Sequence, residues 1–203
     1  MENKLKIALT FSGGGYRAAT FHLGALSYLH TIKVGESTLL EHVVALSTIS
    51  GGTITGLRYM LGQTRGESVD EIFNDLYKFF TQIDLATIAM DNLSNYGEKQ
   101  CASLIRTMSD VYNTELFKGA VLGDLMDKID EIHIGHFAAN ATDFTNGLAF
   151  RFQATENTGT KPGTTSGHGI VGNNKIRIPR EVARHIRLSE ILACSSCFPS
   201  GFE

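Results

Sequence analysis

The chain has 203 residues, a net charge of -3, and 42% hydrophobic against 19% charged residues, the profile of one soluble globular domain with a sizeable core. No basic excess marks it for nucleic acid, and no run of about eighteen apolar residues is present to span a membrane. The three cysteines, Cys101, Cys194 and Cys197, are an odd set that argues against a disulfide framework.

Residues 5–11 are predicted as a first strand. The N-terminus Met1-Glu2-Asn3-Lys4 runs straight into it and leaves no room for a signal peptide, so a cytoplasmic location is expected, with signal-less export open. Three glycines, Gly13, Gly14 and Gly15, lead into a helix over 16–32, whose Ala19, Leu23, Leu26 and Leu29 suit one buried face. A second buried-type strand, 43–49, ends at Ser50-Gly51-Gly52, and residues 53–61 read as a helix. Strand–helix–strand–helix implies parallel pairing, hence an α/β fold: a three-layer α/β/α sandwich on a mainly parallel sheet.

Residues 63–130 are predicted mostly helical, with Val69, Ile72, Phe73, Leu76 and Phe80, then Cys101, Leu104, Ile105, Met108 and Tyr112, at helical spacing. The aromatic group Tyr77, Phe79 and Phe80 is read as core packing in preference to a lipid-facing lid. Strands return at 132–140 and 148–155, with Asn146-Gly147 as the turn signal between them. Residues 156–174, rich in Gly and Thr, are predicted as a surface loop. A short helix follows Pro179 over 180–186, and Ser189 is placed to cap another over 190–197. Cys194 and Cys197 then read as small core residues. No repeat or linker divides residues 1–203, which form a single domain.

The glycine turn raises a chemical question. Unpaired N–H groups at a helix N-terminus attract anions. A P-loop needs a lysine after its glycines, and none follows here. Gly13, Gly15 and Ala18 fit the G-x-G-x-x-A pattern of a Rossmann-type dinucleotide-binding domain. That reading also needs an acid at the end of the second strand, which closes Ser47-Thr48-Ile49-Ser50; Glu41 lies at its other end. It remains the weaker alternative. The third possibility is an oxyanion formed only during acyl transfer, and the plainest is a tight turn with no ligand.

Ser50 helps to choose. It stands at a strand-to-helix turn followed by Gly51 and Gly52, as a nucleophile elbow requires: a sharp turn lifts the hydroxyl above the sheet, and small neighbours avoid clashes. If the two strands are neighbours, both turns face one crevice at the C-terminal edge of the sheet. A nucleophile beside an oxyanion hole is what acyl transfer needs. The competing reading of Ser50 is a simple helix N-cap.

These motifs resemble the patatin-like phospholipases. Gly13-Gly14-Gly15-Tyr16-Arg17 is similar to their GGGxR/K oxyanion motif, and Ser50-Gly51-Gly52 to their G-x-S-x-G elbow. Ala141-Thr142-Asp143 resembles a family hairpin, and the segment from Ala193 through Ser195 to Pro199 their A-x-S-x-x-x-P stretch. The resemblance implies a lipid acyl hydrolase, without cofactor or metal, acting on a lipid or phospholipid at a membrane surface through a Ser–Asp dyad. Ser50 is then the nucleophile. The amides of Gly13, Gly14 and Gly15 form the oxyanion hole. Arg17, Gly51 and Gly52 support it, Arg17 by fixing the glycine loop or by meeting a phosphate.

Two departures stand out. The family carries its aspartate in a D-G-G/A motif downstream of the A-x-S-x-x-x-P stretch, and no such motif occurs here; neither Asp124 nor Asp143 is followed by glycine. The dyad aspartate is therefore expected beyond residue 203, in a longer protein. Thr48 stands where the elbow usually has its first glycine. Two other function classes compete. An ordinary α/β-hydrolase would need a histidine, for which His133, His136, His168 and His185 are available without distinctive context. A non-catalytic pseudo-hydrolase would bind lipid or a partner without turnover. Metal catalysis finds no ligand-spaced cluster.

Overall fold

A computed structural model of the chain describes residues 5–95, 103–156 and 171–197. Strand β1 (Ile7–Phe11) turns through the glycines into helix α1 (Gly15–Thr31), which lays Ala19, His22, Leu23 and Leu26 into the core. A short hairpin, β2 (Lys33–Val34) with β3 (Ser37–Thr38), and one 3-10 turn over Leu39–His42 lead to β4 (Val43–Ile49). Ser50 alone separates β4 from α2 (Gly51–Thr64).

Helix α3 (Val69–Gln82) starts at a reciprocal cap. Ser68 Oγ accepts the Glu71 N–H at 3.2 Å and Glu71 Oε2 accepts the Ser68 N–H at 2.8 Å, so two otherwise open donors are satisfied. The helical stretch continues as α4 (Leu85–Asn95), α5 (Leu104–Tyr112), a π turn over Asn113–Phe117 and α6 (Leu122–Met126). The chain then forms β5 (His136–Asp143) and β6 (Leu148–Thr155), a two-residue hairpin pair β7 (Val171–Gly172) and β8 (Arg177–Ile178), and helices α7 (Arg180–Ala183) and α8 (Leu188–Ser196).

One sheet runs β1-β4-β5-β6-β7-β8. Its first three strands are parallel and its last three antiparallel, giving a mixed sheet with a parallel core, flanked by helices. Register sets Phe11 opposite Thr48 and Ile49 opposite Asn140, so the C-terminal ends of β1, β4 and β5 share one edge. Helix α2 is the centre of the packing. Residues 51–62 are all buried, and it touches β1, β4, α1, α3, α6 and α8. Its Arg58, only 6% exposed, donates to Asp75 at 2.7 Å and Glu67 at 2.6 Å. That pairing is what permits a guanidinium at such depth.

Several expectations need correction. The strand expected from residue 132 begins at His136, because pairing on both its flanks starts there, opposite Ala45 and Thr155. Val171 and Gly172 belong to a buried strand rather than to the expected loop over 156–174; residues 157–170, with His168, lie outside the described residues. Ser189 does not cap α8. It is buried inside the helix, and its hydroxyl accepts from Ser109 Oγ at 3.3 Å rather than from the helix start. Cys194 is exposed and Cys197 partly so, both as free thiols, rather than core residues; Cys101 lies outside the described residues. Of the aromatic group, Phe79 is buried and Phe80 packs against the core, but Tyr77 faces solvent.

Candidate active site

Two strand-to-helix turns leave adjacent parallel strands at the same edge. The first is the glycine turn after β1. Gly14 and Gly15 have φ of 136° and 61°, left-handed conformations that L side chains rarely adopt. No side chain caps α1, and its first turn has no acid. Among the described residues, no turn or loop hydrogen bond between backbone groups uses the N–H of Gly13, Gly14 or Gly15. Among the described residues, these donors therefore stand open at the positive end of the helix dipole.

The second turn is Ser50, with φ 52° and ψ -125°. Such a conformation stores on the order of 1–3 kcal/mol in a residue with a side chain and persists only where the surroundings impose it. The surroundings are visible. A Cβ on Gly51 would lie 2.2 Å from the Gly15 carbonyl oxygen, and one on Gly52 would lie 2.5 Å from that of Phe11. The elbow and the glycine turn thus interlock backbone on backbone. A Cβ on Gly13 would stand 3.1 Å from Ser50 Cβ and 3.6 Å from its Oγ, so Gly13 borders the hydroxyl directly. Ser50 holds the N-cap position of α2, yet its side chain makes no capping bond; the Thr53 N–H goes to the Ser50 carbonyl at 2.8 Å. The simple N-cap reading fails, and the hydroxyl is left for other use.

Thr48 is accommodated from within α2. A Cβ on Gly56 would meet Thr48 Cγ2 at 2.4 Å, so Gly56 makes the room that a glycine at position 48 would otherwise supply. Behind the elbow lies a network that sequence reasoning did not single out. Ser195 of α8, 145 residues along the chain, accepts the Ser50 N–H at 2.9 Å and donates to the Asn140 carbonyl at 2.7 Å. Thr53 Oγ1 lies 2.8 Å from the same hydroxyl. Asn140 Nδ2 donates to Ser47 Oγ and to the Thr48 carbonyl, each at 2.9 Å. Ser195 occupies the serine position of the A-x-S-x-x-x-P stretch, which was its only signal. Asn140 had none beyond being an amide among small strand residues.

Arg17 is exposed, and its side chain makes no hydrogen bond or ion pair with a described residue. The loop contact comes instead from His22, which sequence reasoning passed over: its Nε2 lies 3.1 Å from the Ser12 carbonyl oxygen. The other candidates are engaged elsewhere. Asp143 accepts from Asn146 at 2.7 Å and Asn173 at 3.0 Å, which holds its carboxyl below the usual range. Asp124 accepts the Val121 N–H at 2.9 Å. His133 meets the Tyr59 hydroxyl at 3.3 Å, and burial lowers its pKa. His136 faces Glu156 at 3.8 Å, and His185 is exposed. Among the described residues, no group of His, Cys, Asp and Glu is placed to hold a metal, and no helix is long and apolar enough to cross a membrane.

Chemically, this is a hydroxyl on a strained turn beside open amide donors, an arrangement suited to stabilising the oxyanion of an acyl transfer. The family model for patatin-like phospholipase matches residues 9–203. Solved structures similar in fold include human GIVD cytosolic phospholipase A2 in complex with methyl gamma-linolenyl fluorophosphonate, at 14% identity and TM-score 0.62. The same protein with that inhibitor and terbium chloride matches at 15% and 0.60. Each match covers 97% of this chain but only 30% of the other. No curated protein sequence matches the chain.

Proposed function

Because the chain belongs to the patatin-like phospholipase family, we propose that it is a lipid acyl hydrolase of phospholipase A type in which Ser50 is the nucleophile. The observation that carries the reading is the strained Ser50 turn, locked against the glycine turn with Gly13 beside the hydroxyl. In this reading Ser50 Oγ attacks the acyl carbonyl of a lipid presented at a membrane surface. Its proton passes to an aspartate placed in chain that follows residue 203. The amides of Gly13, Gly14 and Gly15 hold the oxyanion. Collapse of the tetrahedral adduct expels the alcohol, which takes the proton back from the aspartate. Water, deprotonated by the same aspartate, then attacks the acyl-serine; the carboxylic acid leaves and Ser50 regains its proton. The exposed guanidinium of Arg17 is available to a phosphate headgroup.

Hydrolysis of p-nitrophenyl butyrate by the full-length protein, beside its Ser50→Ala variant, tests the reading. Turnover is expected to fall at least about a thousandfold in the variant. Equal turnover in both would reject Ser50. A folded protein with no turnover in either form, and with lipid binding intact, would favour the pseudo-hydrolase.

A further inference from the structure

We propose that His22 is a positioning residue for the oxyanion hole: its imidazole fixes the Ser12–Gly13 peptide and so keeps the Gly13 N–H oriented beside Ser50. The inference rests on the acyl-hydrolase reading of the glycine turn.

His22 lies on the buried face of α1, beside Ala19, Leu23 and Leu26, and is only 6% exposed. A polar ring in an apolar face needs a partner. Its partner is the Ser12 carbonyl, 3.1 Å from Nε2. A carbonyl oxygen only accepts, so Nε2 carries a hydrogen directed at it. The ring itself is clamped. It stacks on Phe11 with centroids 4.4 Å apart and planes 11° apart, and Phe21 meets it edge-on at 5.7 Å. The donor is therefore rigid, held by the last residue of β1 and by the helix that the turn begins.

The consequence follows from peptide geometry. In a planar trans peptide the C=O and the next N–H point in opposite directions. Holding the Ser12 oxygen toward His22 fixes the Gly13 N–H on the opposite side, in a residue whose Cβ position is 3.1 Å from Ser50 Cβ. Among the described residues, no other hydrogen bond holds the Ser12 carbonyl. Gly13, Gly14 and Gly15 lack side chains, nothing caps α1, and the Arg17 side chain has no partner among the described residues. Glycines permit a peptide flip at little steric expense, and a flipped peptide would present a carbonyl where a donor is needed.

The test compares two variants of the full-length protein. His22→Phe keeps a stacking ring and removes the donor. His22→Gln loses the stack and restores an N–H donor. Kinetics on p-nitrophenyl butyrate, thermal melts and the Gly13 amide resonance of 15N-glycine-labelled protein are the readouts. For His22→Phe, kcat is expected to fall about 10- to 100-fold with KM unchanged, and the Gly13 resonance is expected to move. His22→Gln is expected to recover part of both. Wild-type kcat with an unmoved Gly13 resonance in His22→Phe would overturn the proposal. So would a moved resonance with full kcat, or equal loss of melting temperature in both variants without rescue by Gln. If the wild type itself proves inactive, the hydrolase reading fails, while the Gly13 resonance still decides whether His22 holds the peptide.

Discussion

At Ser50 the backbone pays for the geometry of the hydroxyl, and the residues around it show how the strain is contained. Gly51 and Gly52 admit the Gly15 and Phe11 carbonyls at distances that no Cβ tolerates. Gly51→Ala is expected to lower stability by about 1–3 kcal/mol and to abolish esterase activity, because relief of the clash must push the two turns apart. Thermal melts beside kinetics check this; a fully active Gly51→Ala would show that the interlock is dispensable. Ser195→Ala leaves the Ser50 N–H and the Asn140 carbonyl without their partner, a loss of about 1–3 kcal/mol for buried groups. It is expected to lower kcat while Ser195→Thr, which keeps the hydroxyl, recovers part of it. The elbow itself was legible in the sequence because its signal is local, a serine and two glycines at a strand end. Ser195 was not, because its contact joins residues 145 apart, and nothing in a single sequence links a mid-helix serine to a distant amide. His22 was hidden for another reason: a histidine among Ala19, Leu23 and Leu26 interrupts an apolar face that seemed complete without it.

Among the elements, α2 explains why the β-branched Thr48 can stand two residues before the Ser50 turn. Thr48 Cγ2, on β4, occupies space that Gly56 vacates inside α2, so the two positions are coupled. Gly56→Ala is expected to destabilise the protein by about 1–3 kcal/mol. In a Thr48→Ser background, which removes Cγ2 and keeps the hydroxyl, the same change is expected to be much milder. A double-mutant cycle by urea denaturation measures the coupling; strict additivity would contradict it. Elements with strong periodicity or β-branched runs, such as α1, β4 and β6, were readable nearly to their ends. The two-residue strands β7 and β8 were not, since a pair so short has no alternation to detect. Ser189 misled for a related reason. A serine ahead of an apolar run has the signature of a cap, but packing of α8 against α5 draws the helix start to Leu188 and buries Ser189 against Ser109.

For the whole molecule, stability should depend on pH through His133. Burial holds its imidazole below the ordinary value, with Glu41 acting in the opposite sense. Unfolded chain takes up that proton near pH 6.5. The stability contributed by the neutral ring is therefore complete above that pH and is lost as pH falls through the lowered folded value. The urea midpoint is expected to drop between pH 7.5 and 5.5, and His133→Gln to flatten that slope; identical slopes would assign the effect elsewhere. At this scale the sequence showed the α/β class through its opening strand–helix–strand–helix order. It showed the first antiparallel step, the β5–β6 hairpin, through Asn146-Gly147, but not that two more antiparallel strands extend the sheet, because β7 and β8 were invisible to it.

A Ser50 nucleophile activated by its turn would react with a phosphonylating reagent. Treating the full-length protein with a fluorophosphonate and mapping the adduct by peptide mass spectrometry tests it most directly. One phosphonylated residue is expected, Ser50, with labelling abolished in Gly51→Ala. A folded protein that stays unlabelled, or that carries its adduct on another serine, would contradict it.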